Sequence, residues 1–139
     1  MRHIKRFWAR DGDMTVWAVE CVSGLALILY AMLSLYVRDS TGAILASHIG
    51  FSKLVSPEVW QPLIGMIGIL QVTCSVHRNP LCSIVTAYPA MIAFSYAAVA
   101  GGVYSGHIEP MEIFAGAWGV LNYVIIRHNG AKAKGEIGG

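Results

Sequence analysis

A chain of 139 residues, 55% hydrophobic and only 13% charged, carries about half the charged share of a soluble domain, and its length points to one domain. So small a soluble fold needs a charged surface, but here the charges fall at the ends and in short gaps between apolar runs. A net charge of +2, with no basic stripe interleaved with aromatics, excludes nucleic acid as a partner; the lipid bilayer is the partner the composition implies.

Residues 1–13 form a basic lead-in. Ile4, Phe7 and Trp8 recur at helical spacing among Arg2, Lys5, Arg6 and Arg10, the pattern of either a short interfacial helix resting on anionic headgroups or a solvated tail. The first apolar run, 14–37, is longer than the 7–15 residue apolar core of a signal peptide, and no small-x-small cleavage site follows. At 1.5 Å per residue it is about 36 Å long, enough to cross a ~30 Å hydrocarbon layer. Its single ionisable residue is Glu20, and Arg38 and Asp39 end it.

Residues 40–56 are intermediate in polarity, too short and too polar to span, and are expected to lie along the membrane surface or over the bundle. Ser56-Pro57-Glu58 then supplies an N-cap, a proline at the first helical position and an acid in the positive first turn. A second span covers 60–76, and a tight turn at 77–80 leads to a third at 81–104, which Pro89 should kink. After a second turn at 105–109, Pro110 opens a fourth and shorter span at 111–126, which holds Glu112, Gly116, Gly119 and Asn122. Residues 127–139, rich in glycine and lysine, read as a flexible tail.

The expected fold is therefore all-α: a polytopic membrane protein with four transmembrane helices in an up-down bundle and a short interfacial segment between helices 1 and 2. Of the ten Lys and Arg, Arg2, Lys5, Arg6, Arg10, Arg78, Arg127, Lys132 and Lys134 fall on one face of that arrangement. Only Arg38 and Lys53 fall on the other. Under the positive-inside rule both termini are cytoplasmic, in a cytoplasmic (inner) membrane. Trp8, Trp17 and Tyr123 near the inner border, and Tyr36, Trp60 and Tyr104 near the outer one, agree with these limits.

Counting depth from the span ends puts Glu20, Gln71, Thr86 and Asn122 each about 6–9 Å from the cytoplasmic side. Intramembrane carboxylates face a bundle interior or a water-filled cavity. The four residues thus predict a buried polar layer, either interhelical hydrogen bonding at about 0.6–2 kcal/mol per group or a site that handles protons or cations. Ala18-Val19-Glu20 in the first span, and Gly50-Phe51-Ser52-Lys53-Leu54 before the second, resemble small multidrug resistance transporters. That resemblance implies a first-helix glutamate exchanging protons for cationic drugs. The chain departs from the family in its long 40–56 segment, its one-sided charge and the shallow position of Glu20.

His107, Glu109 and Glu112, with His48, match no metal-binding spacing, and acids are at home at helix N-termini; no metal or cofactor is expected. Cys21, Cys74 and Cys82 lie in or beside apolar runs without CxxC spacing and read as small packing residues, not as a disulfide framework. Ala93, Ala97 and Gly101 in the third span, and Ala115 and Gly119 in the fourth, form small-xxx-small rows for close helix approach, with Gly65 and Gly68 a smaller notch in the second. These rows close the bundle or meet a second copy or a larger membrane complex. No nucleophile elbow, phosphate loop or HExxH motif occurs. The composition and these rows point to a non-enzymatic integral membrane protein acting by helix–helix association, as an accessory or interaction subunit. The alternatives are a small proton- or cation-coupled transporter using Glu20 and a holin-like pore former.

Overall fold

The computed structural model describes the backbone of residues 2–40, 46–106, 108 and 110–135, and the side chains of 13–36, 49–106, 108, 110 and 112–135. The fold is all-helical: α1 (Arg2–Ser40), α2 (Ala46–Leu54), α3 (Pro57–His77), α4 (Pro80–Ser105) and α5 (Pro110–Ala133). Among the described residues, three segments are long and apolar enough to cross a membrane, Asp13–Tyr36 in α1, Pro57–His77 and Pro80–Ser105. The expected fourth span, 111–126, lies in α5, which falls outside this set. Its apolar stretch is hemmed in by Glu112 at one end and by Arg127, His128 and Asn129 at the other.

Two boundaries differ from expectation. α1 is unbroken from Arg2, so from that residue on the basic lead-in continues the first span and is not a separate interfacial helix. α5 runs on to Ala133, into the segment expected to be a flexible tail. The turns behave as their residues dictate. Ser56 precedes Pro57 at the start of α3 without a side-chain capping bond. Asn79 caps α4 with its Oδ1, which accepts from the amides of Leu81 (3.0 Å) and Cys82 (3.3 Å), satisfying two of the donors a helix start leaves free.

α1 packs mainly on α3, and α4 on α5, while α2 lies across α4. Glycine makes the α1–α3 approach possible. A Cβ at Gly24 would stand 2.7 Å from the Gly68 carbonyl oxygen, and one at Gly68 would stand 2.5 Å from that of Gly24. Between α4 and α5, Gly101 faces Glu112 and Gly119 faces Ser95 Oγ. Ala93 is buried and Ala97 and Ala115 half-buried beside them. Leu27, Ala31, Trp60, Ile64, Ala90, Ala93 and Phe94 form the larger core cluster, and Ala87, Ile125 and Ile126 the smaller. Over the larger one, Phe51 of α2 stacks on Trp60 (5.1 Å between ring centres) and tilts against Tyr96 (4.9 Å), and the Tyr96 hydroxyl donates to the Gly50 carbonyl at 3.0 Å.

The outward faces carry Leu25, Leu29, Met32, Met66, Ile69, Val85, Ile92 and Val99, each at least half exposed. Monomeric soluble proteins rarely expose contiguous apolar patches on this scale; a hydrocarbon environment suits them.

Candidate polar chamber at the α3–α4 turn

At the end of the molecule that holds the α3–α4 turn, α1, α3, α4 and α5 surround a chamber of about 400 Å³. It is lined by Asp13, Trp17, Glu20, Ser75, Arg78, Ser83, Asn129 and Lys132, among others. The floor is buried: Glu20 is 3% exposed, Ser75 1%, Ser83 3% and Asn129 8%. The rim, with Met14, Trp17 and Arg78, is exposed, so the chamber opens past the helix ends.

Glu20 projects inward, one turn before Ser23 on the same face of α1. Its Oε2 accepts from Ser83 Oγ at 2.9 Å. Its Oε1 has no partner among the described residues, and neither has Asn129 Nδ2. Two buried, unsatisfied groups of opposite hydrogen-bonding sense thus line one chamber. Each costs about 1–3 kcal/mol while unmatched, and buried polar groups are overwhelmingly paired with protein or water. Beside them Ser75 Oγ donates to the Val72 carbonyl (2.7 Å), which leaves the Cys21 thiol to donate to Ser75 Oγ (2.9 Å).

Charge is concentrated at the mouth. Asp13 Oδ1 lies 2.9 Å from His128 Nε2, and Lys132 Nζ donates to Asp13 Oδ2 at 2.8 Å. The Arg78 guanidinium sits over the Trp17 ring at 5.7 Å from its centre. Arg78 closes α3 in the left-handed region, at φ 51, where a residue with a Cβ costs about 1–2 kcal/mol.

Of the four residues expected to form one polar layer, the structure joins two. Gln71 Nε2 donates to Asn122 Oδ1 at 2.7 Å, Asn122 Nδ2 donates to Ser23 Oγ at 2.8 Å, and Ser23 Oγ donates to Gln71 Oε1 at 3.2 Å. All three are fully buried. Glu20 is a turn nearer the mouth, with Ser83 as its partner. Thr86 turns back on α4, donating to the carbonyls of Cys82 (3.1 Å) and Ser83 (3.2 Å). The layer is therefore two levels, an open one at Glu20 and a closed Ser23–Gln71–Asn122 ring beneath it.

Ser23 was missed, although it follows Glu20 at i+3 and so shares its face. Asn129 and Lys132 were missed because α5 had been expected to end at 126, and Arg78 because it read only as a turn residue. The cysteines need a correction: Cys74 and Cys82 are disulfide-bonded, with 5.5 Å between their Cα atoms. The short turn folds α4 back on α3, which brings positions eight apart together without a CxxC motif. Of the outer-turn group, His107, Glu109 and the His48 side chain lie outside the described residues, and no cluster with metal-binding composition occurs among those described. Comparison with known protein families, with curated proteins and with solved structures finds no match for this chain.

Proposed function

We propose that this is a four-span protein of the cytoplasmic membrane, both termini cytoplasmic, that takes up a proton or a small cation at Glu20 from the cytoplasmic side. The observation that carries the reading is the Glu20 carboxylate, buried, with Oε1 unpartnered among the described residues, in a chamber that opens at the end holding most of the chain's basic residues. A buried acceptor that no protein group satisfies attracts a proton, water or a cation. α5 is the fourth span in this reading, its last two turns with Arg127 and Lys132 reaching headgroup level.

A second reading, the non-enzymatic accessory or interaction subunit, draws on the closed ring below the chamber. Ser23, Gln71 and Asn122 bond to one another, and the Leu27–Trp60–Phe94 core lies beyond. A chamber that ends blind suits a binding or sensing site better than a conduit. Infrared difference spectra of the full chain in nanodiscs test the choice. A carboxyl band that responds to pH, shifts its response with added methylammonium and disappears in Glu20→Gln is the expected result. A spectrum identical in wild type and Glu20→Gln leaves Glu20 as interhelical hydrogen-bonding glue and favours the accessory role.

A further inference from the structure

We propose that the chamber holds an ammonium–phosphate zwitterion of the ethanolamine phosphate type, either as a lipid headgroup or as a free phosphomonoester; the inference rests on the reading of Glu20 as a cation acceptor. The two orphaned groups ask for a ligand with both senses of hydrogen bond. Glu20 Oε1 needs a donor and Asn129 Nδ2 an acceptor, and both line the chamber. A bare metal cation satisfies the first and not the second; inorganic phosphate does the reverse.

The rim adds the anionic half. The Arg78 guanidinium makes no hydrogen bond among the described residues and sits at the mouth over Trp17. Guanidinium is the side chain best shaped for bidentate phosphate binding, and Lys132, already on Asp13, adds positive charge nearby. Trp17 stands three residues from Glu20 on α1, a rise of about 4.5 Å. That rise matches the short span between nitrogen and phosphorus across a two-carbon ester. The ammonium then lies on Glu20, and the phosphate reaches from the buried Asn129 amide towards Arg78 at the rim.

Chemistry also selects a primary ammonium. A trimethylated nitrogen has no N–H for Glu20 Oε1 and is held by open aromatic faces; Trp17, the aromatic ring lining the chamber, already carries Arg78. The backbone gives independent support, because Arg78 occupies a left-handed position (φ 51) that favours glycine. Backbone held in such a region points to a use for the side chain placed there.

The experiment uses the full chain in detergent, with binding followed by calorimetry for ethanolamine phosphate, phosphocholine, ethanolamine and inorganic phosphate. Native mass spectrometry follows retention of phosphatidylethanolamine against phosphatidylcholine. Ethanolamine phosphate or phosphatidylethanolamine should bind at least about tenfold more tightly than the trimethylated counterpart, the order of one charged hydrogen bond. Arg78→Gly, which suits the local φ and preserves the fold, should weaken binding about tenfold or more and leave ethanolamine unaffected. Binding confined to the phospholipid identifies a headgroup site; binding of the soluble compound as well identifies a free metabolite.

Equal affinity for ethanolamine and ethanolamine phosphate, with Arg78→Gly silent, overturns the zwitterion and leaves the cation reading of Glu20 intact. Equal affinity for the methylated and unmethylated probes also overturns it. If no probe binds and Glu20→Gln changes nothing, both readings fall together.

Discussion

Asn122 shows how much one buried amide can organise. Its Oδ1 accepts from Gln71, and its Nδ2 donates to Ser23 Oγ and to the Trp118 carbonyl at 2.9 Å. Three helices are thereby joined at a point with no exposure. Replacing it with leucine strands the Gln71 Nε2 donor and removes the bond that Ser23 Oγ accepts, although Ser23 still donates to Gln71 Oε1. Asn122→Leu should lower unfolding free energy by about 1–3 kcal/mol, measured by reversible unfolding in mixed micelles. Adding Gln71→Leu should cost less than the two single changes summed, because the second removes a group the first had orphaned. Strict additivity would mean that the ring does not act as a unit.

Between elements, glycines separate positions where two backbones meet from positions that merely lie in a helix. At Gly68 a Cβ meets the Gly24 carbonyl oxygen and stands 3.0 Å from the Ile28 amide nitrogen; backbone cannot swing aside, so α1 and α3 must part. Gly68→Ala is expected to destabilise by about 1–3 kcal/mol, the usual cost of overpacking. At Gly119 the near neighbour is Ser95 Oγ, the end of a rotatable side chain, and alanine should be almost neutral. At Gly102 nothing stands within 4 Å, so alanine should stabilise by about 0.5–1 kcal/mol through helix propensity alone. The same unfolding assay ranks the three, and a Gly68→Ala protein as stable as wild type would remove the close α1–α3 contact from the account.

At the scale of the whole molecule, the chamber, the disulfide and most of the basic residues share one end. If that end is cytoplasmic, glutathione and thioredoxin keep Cys74 and Cys82 reduced in the cell, and the bond forms when the protein is isolated in air. A membrane-permeant maleimide should then label Cys82 in intact cells without added reductant, and an impermeant one should not. Labelling by the impermeant reagent alone, after reduction, would put this end outside and reverse the proposed orientation. The apolar outer faces lead to a further expectation: the chain should sediment with membranes and need detergent to leave them, because nothing else among the described residues covers so many half-exposed Leu, Ile and Val side chains from water.

The approximate helix positions were already legible in the order of the residues. Apolar length marked four runs as spans, three of which lie in helices long and apolar enough to cross a membrane among the described residues. Ser56-Pro57 and Pro110 marked two helix starts, and counting from span ends put Gln71 and Asn122 at one level, where they meet. Rotation about each helix axis was not legible, because spans that are apolar nearly all round carry little signal for which face turns inward. That is why Glu20 was matched with Thr86 when its partner is Ser83 one turn earlier on α4, and why Ser23 went unnoticed. The far end of α5 was hidden for a different reason. Arg127, His128 and Lys132 look like tail composition, yet Asp13 engages His128 and Lys132 across the bundle, and Asn129 is buried at the chamber. Hydropathy along the chain set the layers; only packing between chain-distant helices decided which polar groups face one another, because those contacts depend on helix phase and tilt, which no local residue pattern encodes.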